Sequence, residues 1–382
     1  MSVNSADLRY VAQVLVLSVV LGWFAASWLR DAKPRIVALL YVAYWSTAVS
    51  VLYLWRSEQQ AFFYSSDQVE MLRNVERIYI KGLNFSVESL LGQRYIVSVP
   101  AFVLSYIGIE PILAYKFFQA LSVLLLVVVT HSWAKSHGYE LPTWIYGLVI
   151  GPSILLNSIL ALRDTVLAAG VAALFLQRSL TLRALALVVV SGLRPQLGVA
   201  CAIGIILGEL ISLRRRPIFV ACIGLTSYSA GALLFHVGVV FLSGPAGELS
   251  APLSQRGISR LLLSLLGLQF LSVDPDTVDL NLRMLIPLRL LFFDTWLIPF
   301  ALTLAILLSN STVKAHWRLC GSLFVALTLY FGIASQTDMT SSRQTLPFFA
   351  TAGLVAWVLL TQPRRQSHHH RVPVLPHLRA ES

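Results

Sequence analysis

Ser158-Ile-Leu-Ala-Leu-Arg163-Asp164-Thr-Val-Leu-Ala-Ala-Gly-Val-Ala-Ala-Leu-Phe-Leu176 places a charged pair inside an apolar run. Ser191-Gly-Leu-Arg194-Pro195-Gln196 repeats the pattern a short way on. An ionisable residue at membrane depth is costly, and as a rule it faces a cavity or a partner. Around these interruptions the chain is greasy: of 382 residues, 57% are hydrophobic and only 12% are charged. Its mean hydropathy is +0.73. Continuous apolar runs point to helices, because in lipid a helix satisfies all its own backbone groups. A β-barrel would show short alternating segments instead. The expected fold is therefore all-α, a polytopic transmembrane bundle of about 11–12 membrane helices.

A net charge of +11 raises the question of nucleic acid. The positions of the charges answer it. Lys and Arg cluster in short turns between apolar runs, as in cytoplasmic membrane loops. No nucleic-acid partner is expected. Cys201, Cys222 and Cys320 stand singly and imply neither disulfides nor a zinc site. Val11–Leu29 is long for a cleaved signal segment and reads as a retained helix. Residues 1–363 form one membrane domain with long polar loops at 56–94 and 244–285. Residues 364–382, with His368-His369-His370, read as a basic, disordered cytoplasmic tail.

Apolar runs predict helices near 11–29, 36–55, 95–109, 112–133, 142–158, 162–177, 184–192, 196–213, 217–243, 286–309, 319–334 and 345–361. Several are shorter than the roughly 20 residues of a clean span. Arg214-Arg215-Arg216, Lys314 with Arg318, Arg364-Arg365, Arg178 with Arg183, and Arg30, Lys33 and Arg35 mark the cytoplasmic side. Loops 244–285 and 335–344 and the turns at Arg163-Asp164 and Leu193–Gln196 then fall outside. Loop 56–94 also falls outside if one segment among 95–109, 112–133 and 142–158 fails to cross. Inside that loop, Glu70, Arg73, Arg77 and Lys81 recur at helical spacing, with Leu72, Val75 and Ile78 or Tyr79 opposite. This predicts an amphipathic helix in the headgroup plane, started by Ser65-Ser66-Asp67.

Few residues are candidates for chemistry. Asp67 suits a general base for a sugar hydroxyl; it suits equally a cap on the helix that follows. Arg163 and Arg194 suit a diphosphate, because a guanidinium pairs two oxygens at once. The structural alternative is a snorkelling arginine with Asp164 capping the next helix. Arg343, near the start of the last helix, adds positive charge to the same side, or is a solvated loop residue. Arg289 and Asp294 are a poor direct pair at i, i+5. Asp274-Pro-Asp276 has the D-x-D form that can hold a divalent cation beside a diphosphate, although two aspartates in a polar loop are common by chance. Otherwise no metal site is expected. No Walker A, HExxH or GxSxG motif occurs.

Taken in order, Tyr64-Ser-Ser-Asp67-Gln, Arg94-Tyr95, Val99-Pro100, Gly108, Lys116, Pro152…Ser158…Arg163-Asp164, Leu193-Arg194-Pro195 and Arg343…Pro347 form a pattern. It resembles the GT-C class of polytopic glycosyltransferases and the repeat-unit polymerases of bacterial surface polysaccharides. The resemblance implies a polyprenyl-(di)phosphate-linked sugar or oligosaccharide donor, used at the outer face of the cytoplasmic membrane. It implies Asp67 as base, with Arg163, Asp164, Arg194 and Arg343 at the lipid-linked phosphate. Partners would be that lipid-linked saccharide, membrane lipid and other glycan-assembly proteins. Gln68 stands where the stricter pattern often has a second acid. A transporter or flippase of a lipid-linked saccharide would use the same arginines, and a non-catalytic subunit of a glycan-export complex would need none of them.

Overall fold

The computed structural model describes residues 5–55, 66–83, 95–160, 163–210, 217–243, 293–308, 314–335 and 346–361. Among them are 14 helices and no strand. Four are long and apolar enough to cross a membrane: α1 (Ser5–Trp28), α2 (Ala32–Leu54), α5 (Pro111–Ser136) and the His316–Ala334 body of α13 (Lys314–Ser335). The chain is thus a membrane protein, all-helical over the described residues. The apolar stretches of α5 and α13 are 78% and 89% buried, against 22% and 28% for α1 and α2, so α5 and α13 form the centre. Leu15, Val16, Val19 and Trp23 of α1 are exposed. Such a continuous apolar face is suited to lipid, not water.

Contacts at the two ends of α5 fix the direction of its neighbours. At the first end, Gln13 Nε2 of α1 donates to the Gly108 carbonyl at 2.8 Å. Gln13 Oε1 accepts from Glu110 N at 3.1 Å. The Glu110 carboxylate in turn accepts from Leu113 N at 2.8 Å and caps α5, with Pro111 at the first helical position. Burial pushes the Glu110 carboxyl above its ordinary value, against the pull of the Leu113 N–H and of Lys116. At the other end, Asp31 accepts from His131 Nε2 at 2.8 Å and Lys135 Nζ at 3.3 Å. Lys135 holds the Asp31 carboxyl below its ordinary value. Helix α1 therefore runs parallel to α5, and α2 antiparallel. Tyr10 of α1 stacks on Tyr53 of α2 with ring centroids 3.5 Å apart. The Lys135 end is the basic one: Arg178 donates to the Ser136 carbonyl at 3.0 Å and Arg183 to the Leu174 carbonyl at 3.0 Å.

Helix α3 (Ser66–Lys81) is the amphipathic helix expected within loop 56–94. Met71, Asn74, Val75 and Ile78 form its buried face, whereas Tyr79 is 70% exposed. Of the two residues left open for the apolar face, Ile78 is the one turned inward. The Tyr115 hydroxyl donates to the Met71 carbonyl at 3.0 Å and lies 3.0 Å from the Ser98 hydroxyl. This ties α3, α4 (Tyr95–Tyr106) and α5 together near the Glu110 end. With 12 residues, α4 is about 18 Å long, well short of a roughly 30 Å hydrocarbon core. It starts near the level of Tyr115 and returns to the Glu110 end. Its length fits Tyr95–Ile109 as one candidate for the segment that fails to cross.

The run expected as one helix over 142–158 is two helices of 8 residues, α6 (Thr143–Ile150) and α7 (Pro152–Ile159). Between them Gly151 takes φ 42°, ψ 156°, a conformation that L side chains rarely adopt, and Pro152 begins the second helix. Helices α8 (Asp164–Leu176), α9 (Leu180–Leu193) and α10 (Pro195–Leu210) then run to and from the Lys135 end. They have 13, 14 and 16 residues, about 20–24 Å. Helix α10 packs on α13, as does α11 (Pro217–Ser243), while α12 (Phe293–Leu308) packs on α14 (Leu346–Thr361). Glycines allow the close approaches. A Cβ on Gly208 would lie 2.3 Å from Ser322 Cα, and one on Gly231 would lie 2.1 Å from the Leu329 carbonyl oxygen. Gly204 and Gly208 form a small-xxx-small face, a common device where membrane helices meet.

Candidate functional site

The residues of the two sequence interruptions meet. Asp164 starts α8 and is wholly buried. Its Oδ1 accepts from Arg194 Nη2 at 3.2 Å. Arg194 ends α9, and only 11% of its side chain is exposed. Its Nη1 donates to the Tyr330 hydroxyl of α13 at 3.0 Å. Arg163, the residue before α8, donates from Nη1 to the Leu193 carbonyl at 3.0 Å. That carbonyl belongs to the last turn of α9, where a cation offsets the negative helix end. Pro195 lacks an N–H and begins α10, which forces the bend that aims Arg194 at Asp164.

Among the described residues, two guanidiniums and one carboxylate thus gather at these helix ends. Asp164 acts on the cluster through Arg194, by orienting it.

The depth of the cluster follows from Thr165, whose hydroxyl donates to Gln119 Oε1 of α5. Gln119 is eight residues from the start of α5, about 12 Å from the Glu110 end. Helices α8, α9 and α10 stop at this level, whereas α5 continues. The short helices therefore place the charged cluster at the bottom of the Glu110-end half of the bundle.

Two polar residues were not legible as site residues. Gln119 is fully buried, and its Nε2 has no hydrogen-bond partner among the described residues. Lys116 lies one turn nearer the Glu110 end and is 1% exposed. At i, i+3 the two share a helix face. The signal was present as two polar residues in Tyr115-Lys-Phe-Phe-Gln119-Ala, within an otherwise apolar helix. Asn74, on the buried face of α3, also has both side-chain polar atoms unpartnered among the described residues. Tyr330 carried no signal in the sequence.

Asp67 is the second residue of α3, but its side chain lies outside the described residues. Arg343, Asp274 and Asp276 lie outside them altogether, as do Arg289 and the side chain of Asp294. Among the described residues no group of three His, Cys, Asp or Glu side chains could hold a metal ion. Comparison with family models, curated proteins and solved structures finds no match.

Proposed function

We propose that this protein is a multi-pass glycosyltransferase or polysaccharide polymerase of the cytoplasmic membrane, GT-C-like in plan. Its donor is a polyprenyl-(di)phosphate-linked sugar or oligosaccharide, used at the outer face. One observation carries the reading: Arg163, Asp164 and Arg194 converge at the ends of short helices, at a depth where charge needs a purpose. The basic Lys135 end faces the cytoplasm in this reading, so the cluster opens outward. The Asp67-bearing helix α3 docks on that same side.

The mechanism is an inverting displacement. Arg163 and Arg194 hold the phosphate leaving group and offset the charge that develops as the glycosidic C–O bond breaks. Asp164 keeps Arg194 in place. Asp67 removes the proton from the acceptor hydroxyl, whose oxygen forms the new bond to the anomeric carbon. Lys116 and Gln119 add donors above the arginines.

The test is the surface-polysaccharide ladder of the host with and without the gene. Loss of long chains with a single-repeat product retained supports a polymerase. A shift of every band by one sugar supports a single-sugar transferase. An unchanged ladder removes surface-glycan assembly from consideration and favours transport or a structural role. Asp67→Asn at normal protein level should reproduce the deletion, and full activity in that variant would sink the role of Asp67.

A further inference from the structure

A cavity of about 170 Å³ lies at the Lys135 end of the bundle, on the opposite side from the Arg194 cluster. Its walls come from three elements: Trp133 and His137 at the end of α5, Phe175, Gln177 and Arg178 at the end of α8, and His316 at the start of α13. The volume is near the roughly 150 Å³ of a cavity that takes one benzene-sized guest. Among the described residues, one guanidinium and two imidazoles line it, and no carboxylate does.

These groups are held in place. Arg178 Nη2 donates to the Ser136 carbonyl at 3.0 Å, which uses one of five donors. His137 Nδ1 donates to the Trp133 carbonyl at 2.8 Å, which fixes the ring at the cavity wall. The His137 ring lies parallel to that of Tyr139, at 6.0 Å, and Tyr139 bonds His316. The Arg178 bond and the parallel bond from Arg183 to Leu174 also occupy carbonyls at the two helix ends that would otherwise repel an anion.

We propose that this cavity binds the phosphate of an anionic phospholipid headgroup. Charge sets the class of group: a guanidinium fork pairs phosphate oxygens, and among the described residues Arg178 has no acid beside it in the wall. Position favours a lipid source over free phosphate. Leu182, Leu185 and Val188 follow Arg178 along one face of α9 at i, i+3 and i+6 and are 48%, 60% and 63% exposed, an apolar track for an acyl chain beside the headgroup. The inference is independent of glycosyl transfer.

The test uses the full chain purified in detergent, with bound phosphatidylglycerol counted by native mass spectrometry against phosphatidylcholine. Arg178→Ala should weaken phosphatidylglycerol retention about tenfold, the loss of one charge-assisted bond. Because Arg178→Ala also removes the bond to Ser136, Gln177→Glu serves as a second variant. It deletes no side-chain bond seen in the structure and puts a negative charge in the wall, so it should abolish retention while the protein stays monodisperse. Equal retention by wild type and Gln177→Glu would overturn the proposal. Inorganic phosphate that binds in the cavity with no preference for phosphatidylglycerol over phosphatidylcholine would overturn the lipid source.

Discussion

Arg194 and Asp164 are the residues on which the bundle depends most. Removing one partner of a buried ion pair leaves the other charge uncompensated, at a cost of about 3–5 kcal/mol. Arg194→Met should therefore unfold at clearly lower temperature in detergent than wild type, with Asp164→Asn/Arg194→Gln recovering much of the loss. Equal melting of wild type and Arg194→Met would show the pair to be energetically idle. Lys116 separates function from stability. Lys116→Met keeps the volume and removes the charge, so it should melt no lower than wild type. If Lys116 binds phosphate, transfer to the polysaccharide should fall about ten- to a hundredfold, as for a lost charge-assisted bond. Unchanged ladders in that variant would reduce Lys116 to a structural residue. Asp31 carries a pH effect of known sign. Its carboxyl is held low by Lys135, so its tie to α5 is present at neutral pH and is lost as pH falls through that lowered value.

At the level of elements, the bundle mixes long helices with short ones. Hydropathy found nearly all of them, because an apolar run in lipid has few options but a helix. It missed the break at Gly151, since φ 42° leaves no trace in hydropathy and Pro152 is equally compatible with a kink. The amphipathic period predicted α3 with Val75 and Ile78 inward, but not Asn74, a polar residue on the buried face. The glycine contacts were also hidden, for a single residue type serves turns and close packing alike. Gly208→Leu should separate α10 from α13, with overpacking costing about 1–3 kcal/mol or more. Limited proteolysis checks this: faster cleavage than in wild type is expected, and an unchanged pattern would mean that Ser322 gives way without cost.

For the whole molecule, the two ends of α5 define a polarity that the proposed topology turns into inside and outside. In a Cys222→Ser background, Ile107→Cys should react with a membrane-impermeant thiol reagent on intact cells, and Lys135→Cys only after lysis. The reverse pattern would invert the topology and place the Arg194 cluster towards the cytoplasm. The cluster itself was half legible. Arg163, Asp164 and Arg194 stood out as charges in apolar runs, but their convergence depends on helix ends that no local pattern records. The same convergence constrains how the protein is made. Asp164 leaves the ribosome before its ion-pair partner: Arg194 follows 30 residues later, and Tyr330 another 136 after that. An unpaired aspartate costs about 2.5–3.5 kcal/mol to insert at the centre of a membrane helix, and Asp164, at the first residue of α8, bears a smaller share of that cost until Arg194 arrives. Helix α8 should therefore wait in the translocon, or beside a chaperone, until α9 brings its counter-ion, so the membrane insertion of this chain is ordered by its charges.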